Sequence, residues 1–289
     1  MRVVVTGGSG RIGKWLVREL APTHEVVIFD RVPPSELAEG VTYKLGELED
    51  LGTVYDVLRG ADAVVHLAAI ASNEFHSYAT VFRTNVLGTY HVGEAASRLG
   101  LRTVVTASSL NVLGIPYAER PIGPLVLPID ETHPNRPQDG YSLSKVVDEE
   151  TMAAFNRRTG LRTISVRPPL VVLPERYPEL IARLDDPGFQ HRSLWSYVDV
   201  RDLAAGLRLA LEDESLECEA MFMAADDAFA REPLAELVPR FYPGTAEMAA
   251  VLTGTAPAVV STKAKQLLGY GPQWSWRTAA SSSAAAPNR

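Results

Sequence analysis

Residues 2 to 13 read RVVVTGGSGRIG: a short β-branched run breaks at glycines, three of them (Gly7, Gly10 and Gly13) spaced three apart, and a helical pattern starts at Arg11. Few chain conformations satisfy that pattern. The first glycine permits a tight turn, the second lets an anion approach the main chain, and the third lets the helix pack close to the strand it leaves. The amide dipoles of the helix start then favour a phosphate. The spacing is GxxGxxG rather than GxGxxG, and such a cluster also occurs at ordinary strand-to-helix turns.

The same rhythm repeats down the chain. Apolar runs at 2 to 6, 25 to 30, 41 to 45, 62 to 69, 102 to 108 and 162 to 167 alternate with helical patterns at 11 to 20, 50 to 59, 78 to 98 and 141 to 159. Alternation of this kind predicts a doubly wound parallel sheet of the α/β class, a Rossmann fold. The stretch 112 to 140 is too rich in Pro and Gly for either state and reads as a long loop. Past Arg167 the rhythm fades, leaving helix candidates at 200 to 212, 231 to 240 and 261 to 268 and a strand at 217 to 224. The expected division is a dinucleotide-binding domain at 1 to 168 plus about 196 to 216, and a small discontinuous substrate-binding lid at 169 to 195 and 217 to 276. A flexible tail is expected at 277 to 289.

Asp30 ends the second strand about twenty residues beyond the glycines, where a carboxylate accepts hydrogen bonds from an adenosine ribose. It also repels a 2′-phosphate, which points to NAD over NADP. Arg31 beside it is the competing signal, since a guanidinium balances that phosphate.

Composition excludes several partner classes. A formal charge of −7 over 289 residues, with no basic stretch, argues against nucleic acid and anionic membranes. Cys218 is the only cysteine, so neither an intrachain disulfide nor a cysteine-rich metal site is expected, and a cytoplasmic location fits. No metal is expected. The start lacks the apolar length of a signal peptide, and no apolar run is long enough to span a bilayer.

YSLSK sets Tyr141 and Lys145 one helical turn apart, on one face. A free phenol has a pKa of about 10, and making it a base near neutrality takes about 4 kcal/mol. An exposed pair on a helix supplies only about 0.2 to 0.5 kcal/mol. A unit charge about 4 Å away in a partly buried site supplies on the order of 4 kcal/mol. The pair therefore has a chemical use only inside a cleft, beside an oxidised nicotinamide. There Tyr141 takes a proton from a substrate hydroxyl as hydride leaves its carbon, Lys145 favours the phenolate, and Ser109, at the end of the fifth strand, hydrogen-bonds the same oxygen.

Taken together, TGGSGRIG, FDR, ADAVVHLAA, RTNVLGTYHV, TASSLNVLG, YSLSK, SYVDVRDLAAG and AKQLLGYGP resemble the extended short-chain dehydrogenase/reductase family, the NAD-dependent epimerase/dehydratase group. The resemblance implies Ser109, Tyr141 and Lys145 as the catalytic group. It implies that Arg11, Ile12, Glu47, Leu48, Leu67, Ala68, Ala69, Asn85, Tyr141, Lys145 and Pro168 meet the cofactor together with Gly7, Gly10, Gly13, Asp30 and Arg31, Asn85 being usually credited with structural support. It also implies a homodimer, for which the helices at 78 to 98 and 141 to 159 are candidates. Glu47 stands where the family commonly has Asp, and Leu113 where an aromatic often stands. No Asn follows Arg167-Pro168, and the lid is short for a whole nucleotide. These departures weigh against a nucleotide sugar.

For the substrate, Asn111 follows Ser109 closely, and Arg192 lies five residues before Tyr197, where a guanidinium would pair with a carboxylate or phosphate. A similarly spaced arginine binds the anion in the uronate dehydrogenase branch; the alternative is a surface ion pair. His191 reads as solvent-facing and Trp195 as core. Three functions stand open. The first is an oxidoreductase or epimerase acting on a sugar-type hydroxyl, the second a dehydrogenase of a free uronic acid or aldose, and the third a non-catalytic NAD-binding regulator. A dehydratase is disfavoured, because that branch resembles a Thr-Asp-Glu run where this chain has Ser109, Leu110 and Asn111.

Overall fold

A computed structural model of the chain describes residues 1–72 and 74–279. The first half runs β1 (Arg2–Thr6), α1 (Arg11–Leu20), β2 (Glu25–Asp30), β3 (Thr42–Leu45), α2 (Leu51–Leu58), β4 (Ala63–His66), α3 (Tyr78–Leu99), β5 (Thr103–Ala107), α4 (Gly140–Thr159) and β6 (Arg162–Arg167). The second half runs β7 (Leu170–Val172), α5 (Tyr177–Ile181), β8 (Tyr197–Asp199), α6 (Val200–Glu212), β9 (Cys218–Phe222), α7 (Leu234–Phe241), α8 (Ala246–Ala249) and α9 (Thr262–Leu268).

The main sheet has seven strands in the order β3-β2-β1-β4-β5-β6-β9, every pairing parallel. Its inner strands β2, β1, β4, β5 and β6 are buried on both faces because helices cover both, whereas the edge strand β3 is exposed throughout. Along β1 the pleat sends Val3 and Val5 to one side, into a core with Leu16 and Leu20 of α1 and Leu203 and Leu207 of α6. Val4 goes to the other side, among Val54 of α2, Val92 of α3 and Met152 and Phe155 of α4. The strand order reverses direction between β1 and β4. At such a switch point the loops at the carboxyl ends diverge and leave a crevice, which is where open α/β sheets bind ligands.

A second core lies beyond those strand ends. It joins Leu113, Ile115, Leu127 and Ile129 of the Pro-rich stretch to Trp195, Phe222, Leu234 and Val259. Between a 3-10 turn that ends at Leu113 and the start of α4 at Gly140, the stretch has loop backbone, as its composition predicts, but is held down by this packing and by the Ile129↔Val259 bridge. Two parts of the expected division change. β9 lies inside the stretch assigned to the lid (217 to 276), yet it is the seventh strand of the main sheet, paired with β6 from Thr163↔Cys218 to Arg167↔Phe222. Its position depends on a partner more than fifty residues away, which local pattern does not report. β7 and β8 form a separate parallel pair, each three residues long and too short to show a period.

Residues 277 to 279, expected to belong to a flexible tail, are ordered instead. Residues 276 to 279 form a helical turn, with Trp276 buried against Phe229 and the Arg277 guanidinium bonded to Ala230 O at 2.9 Å. Residues 280 to 289 lie outside the described residues. Among the described residues no helix is long and apolar enough to cross a membrane.

Candidate active site

The glycine turn takes the shape its spacing demands. Gly7 sits at φ +70°, and a Cβ there would stand 2.8 Å from Ala68 N; at Gly13 a Cβ would overlap Gly7 O and come within 2.6 Å of Gly8 Cα. Both approaches are backbone against backbone, so neither neighbour can yield. Gly10 caps α1 without a side chain, and the first turn carries no acid. The leading amides of α1, at Arg11 and Ile12, therefore have neither an intrahelical acceptor nor a side-chain cap. Free amides at a helix start favour an anion.

Next to it, the Asp30 carboxylate accepts from Ser9 N at 3.0 Å and Val32 N at 3.2 Å, fixing it at the end of β2. Glu47 is exposed, and Leu48 packs across Gly88 while its carbonyl takes a hydrogen bond from the His91 ring at 2.7 Å. Gly46 N bonds Asp30 O at 3.1 Å, which brings this turn beside Asp30. Arg31 is exposed at the same edge.

A cleft of about 400 Å³ opens along the strand ends, and it brings Arg11, Ile12, Leu67, Ala69 and Pro168 together with Ser109, Asn111, Tyr141 and Lys145. Asp139 caps α4, its Oδ1 accepting from Tyr141 N and Ser142 N, each at 2.9 Å, so the phenol is launched from a fixed first turn. Ser109 caps the 3-10 turn that follows β5 and accepts from Asn111 N at 3.1 Å. Lys145 is buried, its Nζ donating to Ala107 O at 3.0 Å and to Asp148 Oδ2 at 3.2 Å. Burial alone would lower the lysine pKa, but Asp148, then Tyr141 and Glu149, oppose it and leave it raised, an ammonium throughout the ordinary pH range.

Behind the cleft stands a polar scaffold. Asn85 accepts from Ile70 N at 2.8 Å and donates to Ile70 O at 3.2 Å and Ser144 Oγ at 3.0 Å. Both its N–H groups are thus spent on protein, and Asn85 is absent from the cleft lining. Expected at the cofactor, it instead ties the loop after β4 to α4. His66 lies between Thr6 Oγ1 at 2.7 Å and Thr89 Oγ1 at 3.2 Å, and Thr6 Oγ1 also accepts from Ala68 N at 3.2 Å. Burial, helped by the Lys145 charge, pushes the imidazole pKa down to about 3, so the ring is neutral. Ser108 Oγ and the Arg167 guanidinium converge on Glu149, Arg167 in two bonds of 2.8 and 2.7 Å.

The lid differs from expectation at Arg192. It is exposed on a 3-10 turn, His191–Ser193, and does not line the cleft. Left-handed backbone at Gln190 (φ 62°), Leu194 (φ 53°) and Trp195 (φ 50°) turns the chain there, and Gln190 and Ser193 meet the cleft instead. The lid supplies two other arginines to the cleft: Arg176, paired with Glu179 at 3.0 and 3.1 Å, and Arg183, stacked 4.1 Å over the Phe189 ring. Trp195 is core, as expected; His191 is half-buried and stacked on Phe241 at 5.0 Å rather than facing solvent. Tyr117, unforeseen in the Pro-rich loop, also lines the cleft, edge-on to Tyr141 with ring centroids 6.0 Å apart. Burial and Tyr141 raise its pKa, which keeps it a phenol, and its hydroxyl engages Asn111.

Comparison with known proteins gives this geometry a context. A family model described as the NAD dependent epimerase/dehydratase family matches residues 3–222, from β1 to the last residue of β9. The uronate dehydrogenase of Pseudomonas putida is 29% identical over 168 residues, 57% of this chain and 59% of that protein, so the match spans less than two thirds of the relative's length. The L-arabinose 1-dehydrogenase (NAD(P)(+)) of Haloferax volcanii is 28% identical over 216 residues, 73% of this chain and 82% of that protein. A crystal structure of a short-chain dehydrogenase/reductase superfamily protein from Agrobacterium tumefaciens with bound NAD superposes with a TM-score of 0.74 at 24% identity, covering 98% of this chain and 96% of that one. With the matched model running through every strand of the main sheet and through Ser109, Tyr141 and Lys145, the chain belongs to the NAD-dependent epimerase/dehydratase family.

Proposed function

We propose that this protein is an NAD-dependent oxidoreductase acting on a hydroxyl of a sugar or sugar derivative, either releasing the oxidised product or returning the hydride to the other face as an epimerase. One observation carries the reading: Ser109, Tyr141 and Lys145 line the same cleft as Arg11 and Ile12 of the glycine turn. The residues suit a bound dinucleotide. Side chains at Gly7 or Gly13 would fill the space the turn needs, the first amides of α1 have no side-chain cap, and Asp30 is held at the end of β2, where a carboxylate suits a ribose diol. The fixed carboxylate favours NAD over its 2′-phosphorylated form. When bound, NAD supplies the hydride acceptor. The chain's own part is to hold the substrate oxygen between Ser109 and Tyr141, to take its proton at the Tyr141 oxygen, and to favour the phenolate through Lys145.

A second, narrower reading is a dehydrogenase of an acidic sugar. Among the described residues, Arg11, Lys145, Arg176 and Arg183 line the cleft and no Asp or Glu does, in a chain whose formal charge is −7. Such a lining attracts an anion, and the relative from P. putida is a uronate dehydrogenase. A homodimer through α3 and α4 belongs to the proposal, supported by exposed Leu87, Tyr90 and Leu143 on those helices. A reducing, cytoplasmic setting fits the exposed free thiol of Cys218.

The test is to mix the purified protein with NAD and a panel of uronates, neutral aldoses and nucleotide sugars. Reduced cofactor accumulating with one of them establishes a dehydrogenase. Isomers interconverting without net reduction establish an epimerase. Neither outcome with any of these sugars would overturn the proposal.

A further inference from the structure

Asp148 is the unexpected group at this site. Tyr141, Lys145 and Asp148 stand at i, i+4 and i+7 of α4, one stripe of the helix, and that stripe is buried. Asp148 belongs to an acidic run, Asp148-Glu149-Glu150, of a kind usually solvated, yet its side chain is 0% exposed. One carboxylate oxygen takes the Lys145 ammonium at 3.2 Å. The other, Oδ1, has no hydrogen-bond partner among the described residues, although the Thr89 hydroxyl stands beside the carboxylate. A buried ion pair with an unpartnered oxygen is a poor device for stability, since apolar side chains of the same volume hold a core as well or better. Packing therefore does not account for it.

Among the described residues Lys145 is its only ion-pair partner; burial pushes the Asp148 pKa up, and the Lys145 charge opposes that. On α4, Glu149 is already committed to Arg167 of β6 and to Ser108. From β4, His66 senses the Lys145 charge as a neutral ring, and from α3, Thr89 meets both that ring and the carboxylate. Ala107 O at the end of β5 takes a second bond from the ammonium.

We infer that Asp148 is the internal counterion of Lys145 and, through it, a positioning residue that sets how basic the Tyr141 oxygen becomes. This rests on the assignment of Tyr141 as proton acceptor. An uncompensated cation within about 4 to 6 Å lowers the pKa of an acid by about 1 to 3 units. Lys145 presents a balanced pair instead, so it delivers only part of that effect. Asp148 thereby holds the ammonium against β5 and keeps the phenolate from forming at too low a pH before substrate and cofactor are in place.

The experiment compares native protein with Asp148→Asn, which keeps an acceptor for Nζ and removes the charge. Tyrosinate absorbance is titrated in protein without cofactor, with Tyr141→Phe subtracted to isolate the Tyr141 component. The acid limb of the kcat profile is measured alongside. With the carboxylate gone the ammonium acts unopposed, so both midpoints are expected to move to lower pH by about one unit, which is about tenfold in rate on the acid side. An unchanged midpoint, a shift to higher pH, or a uniform loss of kcat at every pH together with a lower melting temperature would overturn the inference in favour of a purely structural role. The absorbance titration needs no substrate, so it stands even if every sugar in the panel fails. Carbon NMR of the unsubstituted protein tests the same point without any variant: the Asp148 carboxyl is expected as carboxylate at neutral pH, and a protonated carboxyl there would overturn the pairing.

Discussion

Replacing His66 with glutamine is expected to flatten the dependence of stability on pH. His66 is buried between Thr6 and Thr89, and burial, with the Lys145 charge adding, puts its folded pKa at about 3, against an ordinary value of 6.5. The folded pKa is depressed, so on acidification the unfolded chain takes the proton and the native chain does not. Stability from this group is fully present above about pH 6.5 and is lost as pH falls toward 3. The slope is about 1.4 kcal/mol per pH unit, or about 3 kcal/mol between about pH 6.5 and about pH 4.5. Glutamine keeps polar atoms near both threonines but does not titrate. It costs some stability at neutral pH, yet the loss on acidification is expected to be smaller than in the native chain by that same 3 kcal/mol. Urea unfolding midpoints across the range, native against variant, read the difference directly, because the carboxylates that also weaken the fold in acid are common to both. Parallel curves would show that His66 titrates in the native state, and the picture of a neutral ring bracing β4 beneath the cofactor loop would fall.

Asn85→Ala removes three hydrogen bonds and strands the Ile70 backbone, so a loss of about 3 kcal/mol in denaturant unfolding is expected, with NAD affinity falling in step with disorder of the loop after β4. Full stability would mean that water replaces the amide. If the substrate is acidic, Arg183→Ala is expected to raise KM for it by about tenfold or more and leave a neutral sugar unaffected, the effect of one charge-assisted hydrogen bond. Arg192→Ala, outside the cleft, is expected to change neither; the reverse pattern would return the anion site to Arg192.

The parts of the site legible in the sequence are those whose geometry is local. Gly7, Gly10 and Gly13 sit within one turn, and Asp30 follows at the end of the next strand. Tyr141 and Lys145 lie one helical turn apart on a capped helix. In each case spacing alone fixes the shared face. Arg192 falls outside the cleft because the chain around it reverses through left-handed residues that are not glycines, and Gln190, Leu194 and Trp195 carry no sequence mark of that conformation. Tyr117, Arg176 and Arg183 arrive from irregular or short segments with no period to read. β9 joins the main sheet through a pairing with β6, which no window along the chain contains. The burial of Asp148 runs against the usual solvation of acidic runs. Its only hint is the i+7 spacing from Tyr141.

The most direct measurement pairs NAD binding with NAD reduction in the native protein and in Tyr141→Phe, using whichever sugar of the panel gives turnover. Binding within about twofold of native together with a fall in kcat of about a hundredfold to ten-thousandfold is the expected result, since only the proton acceptor is lost. Near-native turnover by the phenylalanine variant, or a native protein to which NAD does not bind, would contradict the account.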